Sequence, residues 1–167
     1  MSSPPPYRVR KPLRAQGYDY STPGLYLVTI CVHHMEPRFG TVRDGQMLLN
    51  DAGMIVDAQW RAIPERYPGV NLDAFVVMPN HLHGIIHIAP EPDGAGESLS
   101  TIVGTFKSLV MADYSAGVRA GRFPRFDRSL WLRGFQDRIV RDDRMLDTSR
   151  AYIEGNPGRW QDKYGNS

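Results

Sequence analysis

The chain has 167 residues, 41% hydrophobic and 23% charged, enough for one domain with a real core and too apolar for wholesale disorder. Its formal net charge is only +2, and the single cysteine, Cys31, excludes an internal disulfide and any cysteine-based zinc site. No apolar run approaches the roughly 18 residues of a membrane span, and the N-terminus lacks the apolar stretch of a signal peptide, so a reducing cytoplasm and no membrane partner are expected.

The first 20 residues are proline-rich and basic and read as an arm, ahead of a domain over residues 21–167. The arm carries Arg8, Arg10, Lys11 and Arg14, with Tyr7, Tyr18 and Tyr20 placed to stack on bases or to pack. "GLYLVTICVHH" (24–34) is β-branched and aromatic and predicts a buried strand. Asp44-Gly45 signals a hairpin between two short strands. Asn50 is a candidate N-cap for a helix whose apolar positions are Met54, Ile55, Ala58 and Ile63. "VNLDAFVVMP" and "HLHGIIHIAP" predict two strands with Pro79-Asn80 as a turn or bulge between them. "EPDGAGES" reads as a flexible loop.

A helix follows, capped by Ser98 or Ser100, with Ile102, Phe106, Leu109 and Val110 on one face. "RFPRFDRSLWLRGFQDRIV" is irregular and then extended. The last predicted helix begins in the acids of "DDRMLDTSRAYIEGNPGRW" and stops at Pro157. There is no internal repeat. The order predicts an α+β fold, an antiparallel sheet with helices packed on it.

Charge divides the chain as well. Residues 36–103 carry nine acids and four arginines, whereas residues 119–144 carry eight arginines and four acids. Two basic ends around an acidic middle suit a phosphate-facing surface, although a merely solvated face accounts for charge alone equally well.

The segment "VVMPNHLHGII" carries the chemistry. In a strand, residues two apart share a face at roughly 6.6 Å, so His81 and His83 can aim at one ion while Leu82 enters the core. His87 shares that face but lies about 13 Å further along, too far for the same ion. Chance and a hydrogen-bonded structural pair remain alternatives. On the last helix Tyr152 and Asn156 stand four apart and share a face. A tyrosine hydroxyl is a possible nucleophile and an amide oxygen an acceptable ligand for a hard cation, but Asn156 before a proline also suits a helix C-cap, and Tyr152 a half-buried core residue. Tyr114 is the rival nucleophile, with no ligand among its helical neighbours.

"MPNHLHGII" followed by "YIEGNPGRW" resembles the HUH single-strand nucleases, among them the one-tyrosine transposases and in particular the REP-associated tyrosine transposases. "GYDYSTPGLYLVTICVHH", "LLNDAGMIVDAQW", "LDAFVVMPNHLHGI", "TIVGTFKSLV" and "LWLRGFQDRIVRDD" are similar to family blocks and stand in family order. Gln136 after Phe135 departs from the pattern, where a second aromatic is expected. The resemblance implies a ferredoxin-like or RRM-like antiparallel sheet with a catalytic tyrosine on a C-terminal helix. It implies Mg²⁺ or Mn²⁺ held by His81, His83 and Asn156, and Tyr152 attacking phosphorus to leave a 5′-phosphotyrosine and a free 3′-hydroxyl.

The implied substrate is single-stranded DNA folded into the hairpins of repetitive palindromes, in a bacterial, nucleoid-associated protein acting as monomer or homodimer. Arg8, Arg10, Lys11 and Arg14, with Lys107 and Arg133 after them, are the expected DNA contacts. The rival readings are a catalytically silent hairpin-binding regulator on the same fold, a phosphoesterase using water, and a binding module with structural histidines.

Overall fold

A computed structural model describes residues 23–90 and 96–165. The basic arm, with Arg8, Arg10, Lys11 and Arg14, lies outside the described residues, as does residues 91–95 of the expected loop.

Strand β1 (Gly24–Cys31) alternates around its axis, sending Tyr26, Val28 and Ile30 into the apolar core and Leu27 and Thr29 to the opposite face. The expected hairpin forms between β2 (Gly40–Arg43) and β3 (Gln46–Leu49), with Asp44 and Gly45 at φ 52° and 74°, the left-handed pair that a two-residue turn requires. Asn50 caps α1 (Asp51–Arg61) by accepting from Gly53 N at 2.8 Å. The segment expected as one helix is two, because α2 (Ile63–Arg66) starts anew with Pro64 in its first turn. Met54, expected on the buried face of α1, is exposed instead, whereas Val56 and Trp60 are buried.

Strands β4 (Val70–Met78) and β5 (His81–Ile88) form the expected antiparallel pair around Pro79-Asn80. Ser98, not Ser100, caps α3 (Leu99–Arg119). After an irregular stretch, β6 (Gln136–Val140) adds to the edge of β1. The four-stranded sheet has the order β4-β5-β1-β6 with every pair antiparallel. Counting only its own strands along the chain, the order is second, third, first, fourth, with α1 and α3 in the two connections. This is the ferredoxin-like arrangement.

The expected last helix is also two. α4 (Asp143–Glu154) is capped by Asp142 accepting from Met145 N, and α5 (Asn156–Tyr164) follows after Gly155. Pro157 therefore opens a helix and does not end one. A proline costs no hydrogen bond in a first turn, where the N–H would lack an intrahelical partner in any case. Gly155 stays near helical geometry, and bonds from Gly155 N to Ala151 O and from Arg159 N to Gly155 O carry the chain across the joint.

The sheet thus has two covered faces. Helices α1 and α3 lie on one, over a core that includes Trp60, Phe106, Leu82 and Ile86. Gly84 of β5 sits so close to Trp60 that a Cβ there would lie 2.3 Å from the indole. Helices α4 and α5 belong to the other face. A bulge in β4 between Leu72 and Phe75 contains Asp73, whose carboxylate takes a two-pronged hydrogen bond from Arg150 of α4 at 2.8 and 2.7 Å. Gln161 of α5 accepts from Gly45 N at the hairpin tip. Among the described residues no helix is long and apolar enough to cross a membrane.

Candidate functional site

The period of two in β5 brings His81 and His83 to the face under α4 and α5, with ring centroids 4.7 Å apart and both imidazoles buried. Each Nδ1 has a fixed neighbour. Asn80 Oδ1 lies 2.7 Å from His81 Nδ1, and Thr29 Oγ1, directly across from His83 on β1, lies 2.9 Å from His83 Nδ1. Asn80 also donates from its Nδ2 to Met35 O, which leaves its oxygen facing His81 and makes Nδ1 of that ring the proton-bearing nitrogen. The Nε2 atom is then the ligand-capable one, the arrangement in which an outer partner orients a metal-binding histidine.

Burial lowers the His81 imidazole to about 4, with the Asn156 side chain acting against it. Burial also holds His83 well below the usual imidazole range, helped by His81 and the Arg159 guanidinium. Both rings are neutral at pH 7, the form that binds metal.

The two C-terminal helices complete the cluster. Tyr152 of α4 is half-buried, its ring 5.2 Å from that of His83 in an edge-on arrangement. Asn156 is buried at the start of α5 and borders the same cleft as His81. The near-helical joint at Gly155 preserves the four-residue relation between Tyr152 and Asn156, although they sit on different helices. His81, His83 and Asn156 are buried side chains offering two imidazole nitrogens and one amide oxygen, donor types that could hold a divalent cation. A cavity of about 170 Å³ beside Tyr152 is lined by Thr29, Gln136, Arg138 and Ser149. Gln136, where a second aromatic was expected, is buried in this wall.

Sequence reasoning overlooked two features. Arg159, two helical turns beyond Tyr152, stacks its guanidinium 4.3 Å over the tyrosine ring and donates to the Tyr152 carbonyl. The seven-residue spacing was the available signal. His33, His34 and Asp127 also bring ligand atoms within 4.8 Å of one another at the surface. Adjacent residues normally point apart, and it is the left-handed His34, at φ 59°, that turns the chain there.

The remaining sequence candidates lie elsewhere. Tyr114 is buried in the apolar core, its hydroxyl donating to Pro124 O and accepting from Arg38. The Lys107 ammonium donates to the carbonyls of Leu132 and Gly134, and burial lowers it to about 8. Arg133 is exposed beside it. His87 lies two residues beyond the apolar Ile85 and does not join the pair.

No known family profile matches the chain. An uncharacterized protein of Haemophilus influenzae is 32% identical over 169 aligned positions, covering 91% of this chain and 90% of that one. The structure of a REP-associated tyrosine transposase bound to a REP hairpin superposes with a TM-score of 0.60 at 18% identity, over 87% of this chain and 73% of that one. A candidate transposase of Deinococcus radiodurans matches with a TM-score of 0.53 at 16% identity, over 84% of this chain and 95% of that one. The chain belongs to one family with the Haemophilus protein, and its fold is that of the single-tyrosine transposases.

Proposed function

From a chain built on the fold of the single-tyrosine transposases, we infer a metal-dependent endonuclease and strand transferase acting on single-stranded DNA that forms hairpins. The observation that carries this reading is the meeting of Tyr152 with His83, and of Asn156 with His81, on one buried face. Sixty-nine residues separate the tyrosine from the histidine it packs against, and only the docking of α4 across the sheet unites them.

Tyr152 is the nucleophile in this reading. Its phenol oxygen bonds to the scissile phosphorus, the P–O3′ bond breaks, and the proton lost by the phenol is balanced by the one the departing 3′ oxygen gains. The product is a 5′-phosphotyrosine and a free 3′-hydroxyl. A phenolate leaves phosphorus at least as readily as a sugar alkoxide, and the phosphotyrosine keeps the energy of the broken bond, so a 3′-hydroxyl can reverse the step without a nucleotide triphosphate. His81, His83 and Asn156 hold Mg²⁺ or Mn²⁺, which supplies Lewis-acid polarisation of the phosphate. Asn80 and Thr29 keep the imidazoles oriented, and Arg159 holds the tyrosine ring and adds a fixed positive charge beside it. Because Tyr152 reaches the histidines of its own chain, one subunit suffices for the chemistry. The likeness to a transposase bound to a REP hairpin supports hairpin-forming palindromes as substrate; on their charge alone, Arg133 and the arm residues Arg8, Arg10, Lys11 and Arg14 are the proposed contacts.

The test is a labelled hairpin-DNA library incubated with the protein and Mn²⁺, run on denaturing gels beside Tyr152→Phe. A slow-migrating protein–DNA adduct, lost in the variant and in EDTA, is expected. Cleavage that survives Tyr152→Phe would replace the tyrosine with water. Binding without cleavage would make the protein a silent regulator.

A further inference from the structure

Beside His81, α5 walls a second cleft of about 110 Å³, sharing Arg159 with the Tyr152 side of the site. Asn156, Arg159, Trp160, Lys163 and Tyr164 line it from the helix, and Asn80 and His81 from the β4–β5 turn and the start of β5, so the cleft borders the candidate metal-holding residues. Two cations and no carboxylate face this space. Trp160 Nε1 and Arg159 Nε are buried donors without a hydrogen-bond partner among the described residues, a costly condition that an acceptor entering the cleft would relieve. The Trp160 ring lies 6.3 Å from His81 and 4.6 Å from Tyr164, whose ring is largely exposed. An aromatic track therefore leads from the histidine pair to the surface, with Lys163 5.2 Å from the Tyr164 ring. Buried donors, paired cations and an exposed aromatic face together match one nucleotide of a single strand, the phosphate inside and the base stacked outside.

The chemistry decides which nucleotide. Attacking and leaving oxygens stand roughly in line on opposite sides of the phosphorus. Tyr152 packs against His83, and the cleft opens at His81, the other ring of the pair. We propose that the α5 cleft seats the nucleotide on the leaving side of the scissile phosphate and retains the strand that ends in the new 3′-hydroxyl. That strand is the nucleophile of the reverse step, so holding it sets whether the protein rejoins DNA or leaves it cut. This assignment rests on the tyrosine-nuclease reading for the identity of the strand, and on the cleft alone for single-strand binding.

Lys163 and Tyr164 are exposed at the end of the last helix, so Lys163→Glu and Tyr164→Ala spare the core. Binding of a fluorescent oligothymidine to the full chain is measured first, and each variant is expected to bind about tenfold more weakly. Unchanged affinity in both variants would overturn the cleft as a nucleotide seat. Next, a hairpin substrate labelled on the leaving strand is cleaved at saturating DNA. Adduct is expected at the wild-type extent, while retention of the labelled 3′-hydroxyl strand and rejoining both fall about tenfold. Wild-type retention and rejoining, or loss of the opposite strand, would overturn the assignment of the leaving side. If the unmutated protein forms no adduct yet oligothymidine binding depends on Lys163 and Tyr164, the tyrosine reading fails and the cleft remains a single-strand seat.

Discussion

The two faces of β5 are buried to the same degree and for opposite reasons. On one, Leu82, Ile86 and Ile88 meet the apolar side chains of the helix layer, and Gly84 gives up its side chain to the Trp60 indole. On the other, His81 and His83 are equally hidden, yet each imidazole must find a polar neighbour, from Asn80 and Thr29. Burying an imidazole costs stability that an apolar residue of similar size would not. A strand that accepts this cost twice, on alternate positions of one face, has its stability supplied by the other face. The comparison makes a prediction: damage to the Trp60 side should be read in stability, and damage to the histidine side in metal binding.

The largest effect should come from Trp60→Ala, which empties the centre of the apolar face. A loss of about 3–5 kcal/mol is expected by urea denaturation, a large share of a domain's total. Mn²⁺ affinity of the fraction that stays folded should hold. A metal site that fails together with the core would mean the faces are mechanically coupled.

Gly84→Ala should cost less, about 1–3 kcal/mol, because the indole has to move away from a methyl group inside a packed core. Its neighbours His81 and His83 point the other way, and metal affinity should again be unchanged by calorimetric titration.

Asn80→Ala inverts the pattern. Asn80 sits half-buried at the turn, so thermal stability should change little, but His81 loses the acceptor that fixes its ring. Mn²⁺ affinity should fall about 10–100-fold. A variant with wild-type affinity would show that the hydrogen bond is merely structural, and the distinction between the faces would collapse.

Much of this contrast was legible in the sequence, because it depends on local periodicity. The alternation of His81, Leu82, His83 and Gly84 gives the faces directly, and the Asp44-Gly45 turn and the Asn50 cap are chemically specified. The two-helix C-terminus was not legible, since Pro157 has the same local meaning whether it closes one helix or opens the next. In the folded chain α5 packs against the β2–β3 hairpin and β4, and Gln161 accepts a hydrogen bond at the hairpin tip, contacts that no local sequence signal announces. The placement of β6 on β1 and the pairing of Thr29 with His83 are long-range events without a local signature. The resemblance named Tyr152, His81, His83 and Asn156, but only the folded chain reveals Arg159 over the tyrosine and the cleft beside it.

The smallest effect concerns what holds the tyrosine helix to the sheet. Asp73 stands in the β4 bulge and binds Arg150, two residues before Tyr152 on α4. The hydrogen bonds from Arg150 pull the Asp73 carboxyl below its usual range, burial opposes them, and the Ala74 amide and His87 add to the lowering; Asp147 and Asp143 face the same guanidinium. A carboxyl with a depressed folded pKa stabilises the protein fully above its unfolded value, near 4, and loses that contribution as pH falls through the lower folded value. Asp73→Asn should therefore lower the thermal midpoint by only about 1–3 °C at pH 7, as expected for a partly exposed pair. The difference from the unmutated protein should persist down to about pH 5 and shrink below pH 4. Adduct formation should fall more than stability does, because the lost contact fixes the element that carries Tyr152. Equal small losses in both would make Asp73 and Arg150 an ordinary surface pair, and would leave the packing of Tyr152 on His83 to position the helix.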